Sequence, residues 1–436
     1  MTTIPLTTTA ADVVIVGAGA AGLTAAYHLN QAGWSSVQIL EANSQRFGGR
    51  LLSVEQRQQQ WEFPVDLGAE WIHGPPAMIL EDILGYPVAD IINNKTVLHE
   101  YEITVYDYGD MYQWGDSQGM EDYKWVGGSS SWYIFFRDYV VSTLPLDSDE
   151  EEEMDIVLGC VVNTIDYRAE KPIVTCENGN TYESWYVIVT TSMKILQNND
   201  ITFVPQLPSE YRNAIWKFEM EPAVKVFLEF TEPFYPSYLI VESDWEEFGD
   251  GCQSQNYADR LFYDETYGQE TSRHILGMFA YARAADRYTA LSDEAAVVTS
   301  ILNELDTMFD GKASATYTGN FVMQDWSKEP YVSTGYTRWV RDDPGPINVF
   351  QRPIDGKVLF AGESLPPNDQ DWGYVHGAAL SGKRAAELVI CLDEEDDDCD
   401  VRMIDTQYAS CGRRNKSVFC MAMSLFVVGF VRLFVA

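Results

Sequence analysis

The stretch that most restricts what this chain can fold into lies near its start, in "VVIVGAGAAG", residues 13–22. A run of β-branched apolar residues stops at Gly17, and a helix-forming segment, 20–32, begins at once. Gly17, Gly19 and Gly22 stand in G-x-G-x-x-G order, with Ala20 opening the helix. In that strand–turn–helix context Gly17 allows the tight turn, Gly19 lets the backbone approach a pyrophosphate, and Gly22 allows close helix–strand packing. Phosphates would rest on the helix N-terminus, where free N–H groups and the helix dipole favour negative charge. A second strand, "VQILEA" (37–42), completes a βαβ opening and ends at Glu41, next to Ala42. An acidic side chain there binds a ribose diol and repels a 2′-phosphate, so the pattern predicts a dinucleotide other than NADP. The expected fold class is therefore α/β, with a Rossmann-like binding domain.

Length and charge narrow the rest. At 436 residues the chain is expected to form two domains or one elaborate one. Hydrophobic content of 46% supplies a large core, and a formal charge of −37 argues against nucleic acid, since nothing would neutralise phosphates. The same charge would draw cationic substrates. Seven cysteines (Cys160, Cys176, Cys252, Cys391, Cys399, Cys411 and Cys420) are scattered without a C-x-x-C pair, which reads as neither a disulfide framework nor a zinc site.

No basic-then-apolar leader stands at the N-terminus. Residues 418–436, "VFCMAMSLFVVGFVRLFVA", are almost wholly apolar and follow Arg413, Arg414 and Lys416. This segment reads first as a single membrane anchor with a cytoplasmic body, Arg432 snorkelling near the end. A lipid-anchor signal and a packed helix on a soluble cytoplasmic protein are the open alternatives.

Along the chain, 90–150 is polar, aromatic and poorly periodic, and ends in the acidic run 147–153. Residues 156–191 read as strands with a hairpin at "ENGNTY", 177–182. A strand is expected at 357–362, a helix at 375–391, and an acidic linker at 393–400 that lacks calcium-loop spacing. In "EMEPAVKVFLEF" (219–230), Val224, Val226, Leu228 and Phe230 alternate as on a half-buried strand, which puts Lys225 on the opposite, wet face. Taken alone, a lysine there is a solvated residue.

Further motifs change that reading. "EANSQRFGGRLLS" sets Arg46, Gly48, Gly49 and Arg50 just past Glu41. Then come "VDLGAEWIHGP" (65–75) and "LFAGESLPPNDQDWGYVHGAALSGKRAAEL" (359–388). These segments resemble the flavin-containing amine oxidases, and the "WIHG" and "GYVHGA" versions are most similar to polyamine oxidases. The resemblance covers residues 12–92 and about 155–391.

It implies non-covalent FAD, because 333–346 lacks the cysteine through which monoamine oxidases attach theirs. By the resemblance, Arg46, Gly48, Gly49 and Arg50 lie along the diphosphate, and Gly68, Ala69, Glu70 and Trp71 face the cofactor. Gly362 and Glu363 meet the ribityl portion, Val162 holds the adenine through its backbone, and the Val375 N–H meets a flavin carbonyl at a helix N-terminus. Lys225 matches the family's catalytic lysine, which holds a water against the flavin. Tyr374 and Tyr336 would cage the substrate, with Trp326, Tyr331 and Trp339 as substitutes for Tyr336. His73 would face the substrate, and His376 would be structural. The implied reaction is hydride transfer from a polyamine such as spermine or spermidine to FAD, imine hydrolysis, and reduction of dioxygen to hydrogen peroxide. Oxidation of monoamines or amino acids is the neighbouring alternative, with Arg338 or Arg341 clamping a carboxylate; an FAD-binding protein with impaired turnover is a third.

Domains are expected at 1–75, 155–215 and 341–392 for FAD, and at 76–154 and 216–340 for substrate, followed by a linker (393–416) and the tail (417–436). Between residues 94 and 127 the family's longer helical roof over the substrate cavity is missing, and with it the acidic groups that grip distal ammonium ions.

Overall fold

The computed structural model describes residues 8–54, 61–107, 109–117, 121–127, 131–146, 154–241, 260–340, 345–368 and 371–394. The acidic runs 147–153 and 395–400 and the apolar tail lie outside them, so the expected anchor does too. Among the described residues no helix is long and apolar enough to cross a membrane.

The glycine-rich opening forms as its residues dictate. Strand β1 (Thr8–Val16) feeds through Gly17–Gly19 into helix α1 (Ala20–Gln31), and β2 (Val37–Glu41) returns parallel to β1. They belong to an eight-stranded sheet. Its order runs 202–204, 162–166, 173–176, 181–189, β1, β2, 155–158, with 358–360 pairing parallel to 181–189. One face is covered by α1 and the long helix Val375–Asp393, the other by the cluster around Met193, Tyr211 and Phe350. The two helices pack backbone to backbone: a Cβ on Gly382 would fall 2.0 Å from the Ala21 carbonyl oxygen.

A seven-stranded sheet, ordered 317–325, 223–230, 274–281, 260–264, 238–241, 102–107, 110–116, forms the second layer system. Here one expectation is corrected. All eight residues of Ala223–Phe230 are buried, because the strand is central in its sheet and both faces are covered. Val224, Val226 and Leu228 pack on helices Ala282–Thr289 and Glu294–Met308. The other face carries Lys225, Phe227 and Glu229, and it is dry as well; Glu229 is paired with Arg273.

The stretch without clear periodicity forms strands 96–98, 102–107, 110–116 and 122–125, then a helical turn that begins at Trp132. Ser131 caps that turn by accepting a hydrogen bond from the Ile134 N–H. Strand Asp122–Trp125 pairs with both Ile72–His73 and Thr96–Leu98. The reading of the cysteines is also corrected: Cys160 and Cys176 form a disulfide. The antiparallel pairing of 162–166 with 173–176 brings them together, a proximity that scattered spacing does not reveal.

Candidate active site

Between the two sheets lies a cavity of about 1390 Å³, above the usual range for a site that holds one small ligand. At one end it is lined by Gly17, Gly19 and Ala20, where α1 begins without a side-chain cap or an acid in its first turn. Its orphan N–H groups and dipole suit a diphosphate. Gly22 lies just behind: a Cβ there would fall 2.0 Å from the Gly17 carbonyl oxygen, so only glycine permits this turn.

Glu41 lines the same end, and its carboxylate accepts hydrogen bonds from the N–H groups of Ala18 (2.9 Å) and Asn43 (2.8 Å). Burial raises its pKa above the ordinary carboxylate value, although those N–H groups oppose the shift. Val162 lines the cavity beside the disulfide. Ala42, Gly48, Gly49, Gly68, Ala69, Trp71 and Gly362 line it too. A long cavity with an uncapped helix start, a glycine cradle and an acid at the second strand's end fits a dinucleotide such as FAD.

Two arginines tie the walls together. Arg46 donates to the Gly49 carbonyl (2.7 Å) and pairs with Glu329 at 3.0 Å. Arg50 donates to the Gly335 carbonyl and to Glu363, each at 2.9 Å. Glu363 also accepts from the Thr337 N–H (3.1 Å) and hydroxyl (3.0 Å). It is thus a hub that ties Tyr336–Val340 to Arg50, and it lines the cavity as well.

Helix Val375–Asp393 starts at the cavity without a side-chain cap, so the Val375 N–H is oriented as an N-terminal donor. Tyr374 precedes it, and burial pushes its phenol pKa up. His73 meets the Tyr374 ring edge-on, with centroids 5.0 Å apart. His376 stacks on Tyr374 with centroids 5.1 Å apart and pairs with Asp371. Tyr336, Trp326 and Tyr331 also line this chamber, with Tyr331 the most exposed of the three.

Three partnerships escaped the sequence reading. His73 Nδ1 lies 2.8 Å from Asp122 Oδ1, and both Asp122 and Glu121 line the cavity. Second, Glu70 lines the cavity and its side chain pairs with Lys225 at 2.6 Å. Third, Lys124 is as buried as Lys225 and pairs with Glu265 at 2.6 Å. Burial pushes the Glu70 pKa up, but Lys225 and Lys124 together overcome it and hold the group down at about 2. Burial and the neighbouring Glu70 raise Glu265 well above its ordinary value. A weak signal for Lys124 was present: "DYKW" sets a lysine between two aromatic residues, an apolar setting for a charged side chain.

A dinucleotide-binding sheet joined to a second sheet that walls an aromatic, lysine-bearing chamber defines the class: a flavin-dependent oxidoreductase fold. The model of the flavin containing amine oxidoreductase family matches residues 136–390, and an NAD(P)-binding Rossmann-like domain matches 15–85; the chain belongs to that flavin-containing amine oxidoreductase family. It is 30% identical to polyamine oxidase 1 of Zea mays over 249 residues, 53% of this chain and 45% of that one. Identity is 27% over 234 residues to the peroxisomal N(1)-acetyl-spermine/spermidine oxidase of Homo sapiens, again 45% of its length. With probable polyamine oxidase 4 of Arabidopsis thaliana it is 24% over 452 residues, 86% of each. The matched stretch thus spans about half the length of the first two relatives. Among solved structures, a putrescine oxidase shares the fold at TM-score 0.67 and 18% identity, over 88% of this chain and all of that one. Cyclohexylamine oxidase from Brevibacterium oxydans does so at 0.66 and 17%.

Proposed function

We propose that this chain is an FAD-dependent oxidase of polyamine-type amines. One observation carries the reading: a single cavity joins the uncapped start of α1 to a chamber holding Lys225, His73, Tyr336 and Tyr374. FAD, when bound, would supply the two-electron chemistry that oxidises the amine at its α-carbon and reduces dioxygen to hydrogen peroxide. The chain's own residues prepare the amine. Tyr336, Tyr374 and Trp71 form apolar walls that exclude water and orient a neutral amine. His73 donates from Nδ1 to Asp122, so Nε2 is its acceptor nitrogen in the neutral ring. Glu121, Asp122 and the overall charge of −37 favour a substrate with further cationic nitrogens.

An amino-acid substrate is less well supported. Arg338, a candidate clamp for a carboxylate, is paired with Glu221 at 2.8 Å. Arg341, the other candidate, lies outside the described residues. The test is anaerobic: spermine, spermidine, their N-acetyl forms, a monoamine and an amino acid are added in turn to the FAD-loaded chain. Rapid bleaching by the polyamines is the expected result. A flavin that stays yellow with all of them overturns the reading.

A further inference from the structure

Lys225 does not stand alone in its chamber. Its ammonium has three N–H donors, and each has an acceptor: Glu70 Oε2 at 2.6 Å, the Gly68 carbonyl at 3.0 Å and the Asp66 carbonyl at 3.1 Å. The rings of Trp71, Phe227 and Phe279 surround the same nitrogen at 5.4 to 5.9 Å. Glu70 in turn stands between two cations. Its Oε2 also accepts from the Tyr263 hydroxyl at 2.7 Å, while Oε1 lies 3.4 Å from Lys124 Nζ, and the Glu265 carboxyl is within hydrogen-bonding reach of Glu70. Lys124 is held by the side chain and the carbonyl of Glu265, at 2.6 and 2.9 Å. Glu70, Lys124, Lys225, Glu265 and Tyr263 are all sealed from solvent, yet only Lys225 and Glu70 reach the cavity wall.

We propose that Glu70 is the positioning residue of this site: it holds the Lys225 ammonium at the flavin side of the cavity, and Lys124 with Glu265 acts as the opposing pair that limits this hold. The inference rests on the proposed reading that the chamber is the flavin's reaction side. A buried ion network of this size is a weak source of stability, since desolvation offsets much of the attraction. Placed at a cavity wall, it does fix which groups there are charged. A neutral residue in place of Glu70 would leave Lys124 with Glu265 and take from Lys225 the carboxylate that accepts its shortest hydrogen bond. Loss of a counter-ion disfavours the charged form of a buried group. Removing Lys124 has the opposite sign, because it takes away a like charge and leaves Glu70 to Lys225 alone.

Charged and titratable groups face the cluster from several elements. Asp66 and Glu70 come from the segment before Ile72–His73; Lys124 and Asp122 from the strand beside it; His99 from the turn after Thr96–Leu98. Tyr263 and Glu265 come from Arg260–Asp264 and its end, and Tyr238 from the next strand. Lys225's neighbours within its own sheet, Phe279 and Gln324, are uncharged.

The experiment uses the full FAD-loaded chain and needs no amine substrate, so it is separable from the proposed function. The absorbance of bound oxidised flavin is followed against pH, and the flavin is photoreduced and then reoxidised by dioxygen at each pH. Glu70→Gln should move the spectral and kinetic transition down by roughly one pH unit or more, with reoxidation slowed about tenfold only above it. Lys124→Met should move the transition up, and Lys225→Met should abolish it. Transitions that coincide in the parent, Glu70→Gln and Lys124→Met overturn the proposal and leave Glu70 a structural ion. If Glu70→Gln does not retain FAD, Lys124→Met decides alone, since the upward shift is required and an unmoved transition refutes it.

Discussion

His73 and Asp122 face each other across the short ladder of Ile72–His73 and Asp122–Trp125, with Nδ1 and Oδ1 2.8 Å apart at the cavity wall. The carboxylate fixes the ring's orientation and its tautomer. Asp122→Asn should therefore weaken binding of a cationic amine about 10- to 100-fold, the scale of one charge-assisted hydrogen bond. FAD content should not change. Anaerobic titration of flavin reduction gives the apparent Kd, and a change of less than twofold removes Asp122 from the substrate site.

Gly22 allows no side chain, because a Cβ would fall 2.0 Å from the Gly17 carbonyl. Gly22→Ala must push the helix start away from the glycine turn, at a cost of about 1–3 kcal/mol. The purified variant should carry little flavin and unfold at a lower temperature. Full flavin occupancy would show that the turn can open without losing its ligand.

His99 is buried among Trp71, Tyr101 and Tyr267, and burial, helped by Lys124, lowers its pKa to about 3. A depressed folded pKa means that its contribution to stability is present above the free value of about 6.5 and is lost as pH falls through the folded one. His99→Gln cannot take up that proton. The difference in Tm between variant and parent should move in the variant's favour from pH 7 towards pH 4. A constant difference would mean that His99 is not buried in its neutral form.

The Cys160–Cys176 disulfide closes a loop of sequence separation 16 beside Val162 and Val161 at the cavity wall. Replacing both cysteines with serine should cost about 3 kcal/mol in urea unfolding. The cavity end lined by Val162 should also loosen, lowering affinity for FAD. Unchanged FAD affinity at reduced stability would confine the bridge to a purely structural role.

Local pattern made much of this protein legible. The glycine turn, α1, Glu41, the hairpin near 177–182 and the final helix are each short-range solutions to backbone sterics and apolar period. The residues expected at the cofactor line one cavity, except Gly22, which supports it from behind. The central strand was found from its alternation, which by itself puts Lys225 on a wet face; only the motif resemblance put that residue in a dry site. Alternation cannot tell a half-exposed strand from one whose polar positions find buried partners.

What the sequence determined by itself is thus the nucleotide-binding opening and the family-like order of its motifs, because turns, caps and strand period depend on neighbours a few residues apart. Only the tertiary structure decided that Lys225 is paired with Glu70, Lys124 with Glu265 and His73 with Asp122. These partners are 49 to 155 residues apart. A buried charge is tolerated only where the fold delivers a counter-charge to it, and that delivery depends on how distant strands meet rather than on the residues beside it.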